Sequence, residues 1–275
     1  MPKIAVVQTN TGIDPAANAA ALVAAIATAG AQGARMVFTP EMSGLLDRDR
    51  ERAAASVRKE GEDAVLVAVR EAAASAGVWV HLGSLALRRQ DPRMANRGFV
   101  IDDTGSIRAR YDKMHLFDVD LANGERYRES AAYAGGDRPV VVRTPVGPMG
   151  LSICYDMRFP DLYRALTDAG AEVLSVPAAF TRPTGQAHWH TLLRARAIEA
   201  GVWVVAAAQT GEHQDGRATY GHSLVVDPWG QVVLDMGEAP GIGYAEIDAA
   251  MTADVRARVP ALRHRRAVPA PMVVG

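Results

Sequence analysis

Apolar positions in this chain fall into short runs, separated by alanine-rich stretches with helical spacing or by glycine, proline and charge. Short bounded runs read as buried strands, and longer periodic stretches read as helices. A strand is expected over 4–9, then a turn over 10–14. Pro15 opens an Ala-rich helix that places Leu22, Val23 and Ile26 together, with Gly30 or Gly33 as its stop. Met36–Phe38 is a second strand, ending in Thr39-Pro40-Glu41. The charged stretch 47–60 reads as helical or loop surface. A helix over 63–76 turns Val65, Val69, Ala72 and Ala73 inward. Strands follow over 78–85 and 98–101, and Asp102-Asp-Thr-Gly makes a hairpin turn into 107–112.

Residues 116–139, with Gly124, Gly135, Gly136 and Pro139, carry no clear period. A loop of that length inside a compact domain is usually functional or disordered. A strand resumes over 140–143, and another is expected over 149–153. Pro160 then opens a helix that stops at Gly170, which leaves Cys154 at the junction of strand and turn. Further strands are read over 173–176, 203–209, 223–226, 232–234 and 244–247, with helices over 187–199 and near 249–258. Strands alternating with helices, with antiparallel hairpins between them, argue for an α/β layered fold. The expected organisation is a single domain over 1–260 and a Pro- and Val-rich tail over 261–275, the tail packing at an oligomer interface.

Composition narrows the function. The 275 residues suffice for a large core, and a net charge of −1 gives no electrostatic case for nucleic acid or an anionic membrane. The most apolar windows, such as 202–208, are far too short to span a bilayer. The N-terminus passes directly into strand-like sequence and is read as carrying no secretory signal. A single cysteine excludes an internal disulfide and fits a reducing compartment, so a cytoplasmic location is expected.

That cysteine occupies a strand-to-helix junction, which in other hydrolases exposes a nucleophile beside free backbone N–H groups. A buried free Cys is otherwise just a small hydrophobe. Two more residues change its reading. Glu41 closes the apolar run 36–38, and Lys113 follows the strand over 107–112. Ligands of open α/β sheets gather at the carboxyl ends of strands. A carboxylate beside a thiol can take its proton and return it to a leaving amine. An ammonium can stabilise the oxyanion formed when sulfur attacks a carbonyl carbon, and is expected to lower the thiol pKa. Together these residues fit acyl transfer through a thioester, with Glu41 as base, Lys113 as electrophilic support and Cys154 as nucleophile.

Three blocks carry a resemblance: Pro40-Glu41, Lys113-Met-His-Leu-Phe-Asp-Val-Asp and Leu151-Ser-Ile-Cys-Tyr-Asp-Met-Arg-Phe-Pro. They resemble the signature blocks of the nitrilase, or carbon–nitrogen hydrolase, superfamily. The likeness extends through Pro177-Ala-Ala-Phe-Thr, Gly185-Gln-Ala-His-Trp, Leu192-Leu-Arg-Ala-Arg-Ala-Ile-Glu and Tyr220-Gly-His-Ser, over roughly residues 3 to 250. The resemblance implies a four-layer α-β-β-α sandwich, no metal, no organic cofactor, and subunits paired as a homodimer or higher oligomer. It also implies a second glutamate near the lysine and cysteine, matched by Glu129, and an oxyanion donor matched by the backbone N–H of Tyr155. The run Pro177-Ala-Ala-Phe-Thr places Phe180 and Thr181 beside the site as substrate contacts.

Within the family, the chain is similar to Nit-type amidases of the branch that hydrolyses deaminated glutathione. An ω-amidase acting on 2-oxoglutaramate, an N-carbamoyl amine hydrolase, a nitrilase, and a non-catalytic partner-binding protein of the same fold remain alternatives. A 2-oxo acid substrate calls for an arginine able to hold a carboxylate, and Arg158 and Arg182 are the candidates. His115 reads as a structural hydrogen-bonding residue. His188 and His190 are two apart on a helix and point to different faces, a poor spacing for a metal, and no Cys or carboxylate cluster completes a site. Arg194, Arg196 and Glu199 read as ion-paired structure, and Gly221-His222 as a turn.

Overall fold

The computed structural model describes residues 1–121 and 124–274. In chain order the first half holds β1 (Lys3–Gln8), α1 (Pro15–Ala31), β2 (Met36–Phe38), α2 (Arg50–Ser56), α3 (Ala64–Ala76), β3 (Trp79–Leu87), β4 (Ala95–Ile101) and β5 (Ile107–Asp112). A short hairpin of β6 (Asp118–Asp120) and β7 (Arg126–Arg128) follows. The second half holds β8 (Val141–Thr144), β9 (Gly147–Leu151), α4 (Pro160–Asp168), β10 (Val173–Ser175), α5 (Arg182–Ala200) and β11 (Trp203–Ala206). A second hairpin, β12 (Thr210–Glu212) and β13 (Ala218–Tyr220), precedes β14 (Leu224–Val226), β15 (Val232–Asp235), β16 (Gly241–Glu246) and α6 (Ala249–Arg258).

Two six-stranded sheets result, in the orders β16-β1-β2-β3-β4-β5 and β15-β14-β11-β10-β9-β8. In each, three successive strands run parallel, two antiparallel strands extend one side, and one antiparallel strand borders the first. The first sheet takes its bordering strand, β16, from the far end of the chain.

Alternation along β1 shows the layering. Ala5 and Val7 pack into one core with Leu22 and Ile26 of α1 and Val65 and Val69 of α3. Ile4 and Val6 face the other way, into a core shared with Leu151, Val173, Trp189 and Val204. A strand buried on both faces must be apolar at every position, as 4–7 are. The architecture is a helix layer, two sheets face to face and a second helix layer. Local chemistry sets the boundaries: Asp14 caps α1 by accepting from the Ala16 N–H at 2.9 Å, Asp63 caps α3 through the Leu66 N–H at 2.8 Å, and Gly77 ends α3 at φ 63°.

Four sequence expectations change. α5 begins at Arg182, five residues before the expected start, because Pro183 serves the first turn with Thr181 as the cap residue. β3 and β4 run past their expected ends, and the extension at Ala95 brings Asn96 into the sheet. The stretch 116–139 is not wholly irregular; it contains the β6–β7 hairpin and a tight turn over Glu129–Ala131, while positions 122 and 123 lie outside the described residues. The β12–β13 hairpin had no place in the sequence reading. No helix among the described residues is long and apolar enough to cross a membrane.

Candidate active site

Glu41 follows β2, Lys113 follows β5, and Cys154 follows β9 by three residues, so two sheets contribute to one place. All three are buried, at 4, 3 and 7 % exposure. Lys113 Nζ donates to Glu41 Oε1 at 2.9 Å and to both Glu129 oxygens, at 3.1 and 2.9 Å. Glu129 thus meets the lysine from the other side, and its Oε2 also accepts from the Phe117 N–H at 2.7 Å. The second oxygen of Glu41 accepts from the Ala179 N–H at 2.8 Å, across the gap between the sheets.

Asn96 was missed by sequence reasoning. Its Nδ2 donates to Glu41 at 2.9 Å and to Glu129 at 3.2 Å, so one amide spaces the two carboxylates. It stands beside Arg97 at the start of β4, ahead of the apolar run from which that strand is read, so its position was taken as lying outside the strand. Asp156 was quoted only as part of a motif. Its fully buried carboxylate accepts from the Ile153 N–H, the Tyr111 hydroxyl, the His115 N–H and the His115 ring. That carboxylate ties the Cys154 turn to the segment that follows Lys113. His115, stacked on Phe159 at 3.7 Å, is held there and turned toward Asp156.

Cys154 has φ 49°, in the left-handed region that costs a non-glycine residue energy. Its own N–H is bonded to Pro177 O at 2.9 Å, whereas the Tyr155 N–H has no acceptor among the described residues. The first turn of a short 3-10 helix over Cys154–Arg158 therefore presents one free donor next to sulfur.

Electrostatics correct one expectation. Burial and the Glu41 charge push the Cys154 thiol well above its ordinary pKa, and the opposing pull of Lys113 does not reverse this. Burial also pushes the Glu41 carboxyl up, but the charge and hydrogen bonds of Lys113 and Asn96 outweigh it and hold the group below its ordinary value. Burial works against the Lys113 ammonium, yet Glu129 and Glu41 hold its pKa well above normal. The lysine still pulls on the sulfur, but burial and the Glu41 charge outweigh that pull. The resting pair is a thiol and a carboxylate.

Glu41, Lys113, Cys154, Tyr155, Phe180 and Thr181 line one small cavity of about 90 Å³. Arg158 and Arg182 do not line it. Arg158 instead lies over the Tyr155 and Phe180 rings and meets His188 Nδ1 at 3.2 Å, while Arg182 is taken up in the first turn of α5. The arginine that does reach the cavity is Arg217, from the unforeseen β12–β13 hairpin. Elsewhere, Arg196 bonds Met157 O and Glu199, and Arg194 bonds Gly230 O. His190 is not isolated, because the fold brings His222 and Asp235 to it at hydrogen-bond distances of 3.0 and 2.9 Å from the carboxylate. Sequence spacing could not show this His–Asp–His set, whose ligand-type atoms lie within 4.8 Å of one another.

Comparison with known proteins bears on this geometry. The family model for carbon-nitrogen hydrolases matches residues 3–257. The chain belongs to the carbon–nitrogen hydrolase family. It is 42 % identical over 243 residues to the deaminated glutathione amidase of Yersinia enterocolitica, covering 86 % of this chain and 83 % of that protein. The NitFhit protein of C. elegans superposes with a TM-score of 0.89 at 40 % identity, over 96 % of this chain and 65 % of that one. An amidase from Nesterenkonia sp. superposes at 0.79 with 29 % identity, over 94 and 98 % of the two chains. In a Glu-to-Gln mutant of that amidase, acrylamide has added to the active-site cysteine. As a carbon–nitrogen hydrolase, this chain is an amidase-type enzyme of the nitrilase superfamily, as its sequence blocks implied.

Proposed function

We propose that this hydrolase cleaves deaminated glutathione through a thioester on Cys154. In that reading Glu41 takes the thiol proton as sulfur attacks the amide carbon. The carbonyl oxygen becomes an oxyanion held by Lys113 Nζ and the Tyr155 N–H. On collapse the C–N bond breaks and Glu41 passes its proton to the leaving amine. Water then attacks the thioester, gives its proton to Glu41, and the proton returns to sulfur as the acid leaves. Glu129 holds the lysine from the side away from the base, Asn96 bridges the two carboxylates, and both are positioning residues. A neutral thiol at rest suits this scheme, since the base removes the proton only as the bond to carbon forms.

The observation that carries the substrate reading is the shape of the cleft. Past the thiol, the cavity meets a groove of about 210 Å³ that holds five arginines, Arg48, Arg50, Arg126, Arg128 and Arg217. A simple ω-amide releases ammonia and leaves that groove unused. Deaminated glutathione releases a dipeptide and would fill it. Relatives that bear the name of this amidase support the same reading. The test is a panel of deaminated glutathione, 2-oxoglutaramate, an N-carbamoyl amine and an aliphatic nitrile, assayed for the products of each, with Cys154→Ala as the blank. The expected result is kcat/KM for deaminated glutathione at least about tenfold above that for 2-oxoglutaramate. Equal values, or a preference for 2-oxoglutaramate, would reassign the substrate to the ω-amides and leave the Glu-Lys-Cys chemistry standing.

A further inference from the structure

We propose that Arg217 is the specificity residue that binds the carboxylate at the far end of the leaving amine. The inference rests on the substrate reading above and deepens it. Four residues, Met42, Leu46, Tyr127 and Arg217, line both the thiol cavity and the arginine groove, so the two spaces meet at them. Met42 directly follows Glu41, the proposed donor to the leaving nitrogen, and Glu129 lines the groove as well. The groove therefore opens on the side from which the amine departs. Whatever that amine carries runs past Tyr127 toward Arg217.

Arg217 is built to receive an anion there. Its Nε donates to Asp215 Oδ2 at 2.6 Å, and its backbone N–H donates to Asp215 Oδ1 at 3.0 Å. The Asp215 side chain is fully buried, so this pair fixes the guanidinium plane at the hairpin turn. Asp215 Oδ2 also accepts from the Arg48 backbone N–H at 2.9 Å, which brings a second cationic residue to the groove wall. Both terminal nitrogens of Arg217 have no partner among the described residues, and the side chain is 23 % exposed. Two of the other groove arginines are turned to one carboxylate: Arg128 holds Asp120 with two hydrogen bonds and Arg126 lies 3.5 Å from it. A guanidinium anchored through Nε still offers two parallel N–H donors, the arrangement that recognises a carboxylate. The ligand class is thus an amide whose leaving amine ends in a carboxylate, as a dipeptide does.

The experiment compares three substrates, deaminated glutathione, its analogue with the terminal carboxylate converted to a carboxamide, and 2-oxoglutaramate. In wild-type protein, amidating the tail should lower kcat/KM by about 10- to 150-fold, the value of one charge-assisted hydrogen bond. In Arg217→Gln, the ratio of kcat/KM for deaminated glutathione to that for 2-oxoglutaramate should fall by a similar factor. Tail amidation should then cost that variant less than about threefold, since the two changes remove one interaction. Arg217→Lys should recover part of the ratio. The proposal is overturned if tail amidation has no effect on wild-type protein, or if Arg217→Gln lowers both substrates equally. Should the Gln variant not fold, Arg217→Lys takes its place, and a substrate ratio and tail-amidation cost unchanged from wild type in that variant overturn the proposal. If wild-type protein turns over 2-oxoglutaramate but not deaminated glutathione, the substrate reading fails as well, an outcome separate from equal turnover of the two tails.

Discussion

At the scale of single residues, the site is an arrangement of charge that keeps sulfur neutral. In the proposed mechanism Glu41 takes the thiol proton, while its own negative charge raises the thiol pKa. The two roles separate in Glu41→Gln. Loss of the base should lower amide turnover by about 10²–10⁴-fold. Loss of the charge should lower the thiol pKa, with Lys113 still present, so iodoacetamide at neutral pH should alkylate the variant faster than wild type, by roughly tenfold for each pKa unit recovered. Alkylation that slowed in step with turnover would show that the carboxylate does not hold the thiol up. Glu41, Lys113 and Cys154 were legible because each follows a strand-like run and each falls in a block that resembles the family's signatures. Asn96, Asp156 and Arg217 were not. The first two act through hydrogen bonds to residues far away in sequence, and Arg217 sits on a hairpin too short and too polar to register as a pair of strands.

At the scale of elements, the strand ends are what bring the groups together, and their approach leaves little room. A Cβ on Gly83 of β3 would lie 2.2 Å from Thr39 O, 2.4 Å from Pro40 O and 2.6 Å from the Pro177 side chain. The backbone that presents Glu41 and the loop after β10 both crowd this glycine. Two of those contacts are backbone oxygens, which cannot swing aside. Gly83→Ala should cost about 1–3 kcal/mol or more by overpacking, a fall in Tm of roughly 2–12 °C for a chain of this size. It should also lower turnover well below the melt, because the Glu41 turn must shift. Gly61→Ala, where an added Cβ meets nothing within 4 Å, is the control and should leave both unchanged. A Gly83→Ala protein with wild-type Tm and rate would mean the strand ends tolerate separation. The central strands were legible from their apolar runs. The β6–β7 and β12–β13 hairpins were not, since each strand has only three residues and those are partly exposed.

At the scale of the whole molecule, each half of the chain builds one sheet except for β16, which the second half lends to the first sheet, and neither half holds a full set of site residues. Glu41, Asn96, Lys113 and Glu129 lie in the first, while Cys154, Tyr155, Ala179 and Arg217 lie in the second. The two halves share one strand plan, which the sequence hides because β16, the border of the first sheet, arrives last. That late arrival has a consequence for an enzyme supplied in two pieces. A fragment ending at 137 would carry β1 with its outer edge bare, and its missing neighbour would be part of the other fragment. An unpaired edge of this kind recruits a matching strand. Fragments 1–137 and 138–275 should each be inactive alone, and co-expression should restore amidase activity by donation of β16 to β1 across the six registered pairs from Lys3 with Glu246 to Gln8 with Gly241. Removing 241–275 from the second piece should abolish that rescue; rescue that survived the truncation would mean the sheets recognise each other through their packed faces alone.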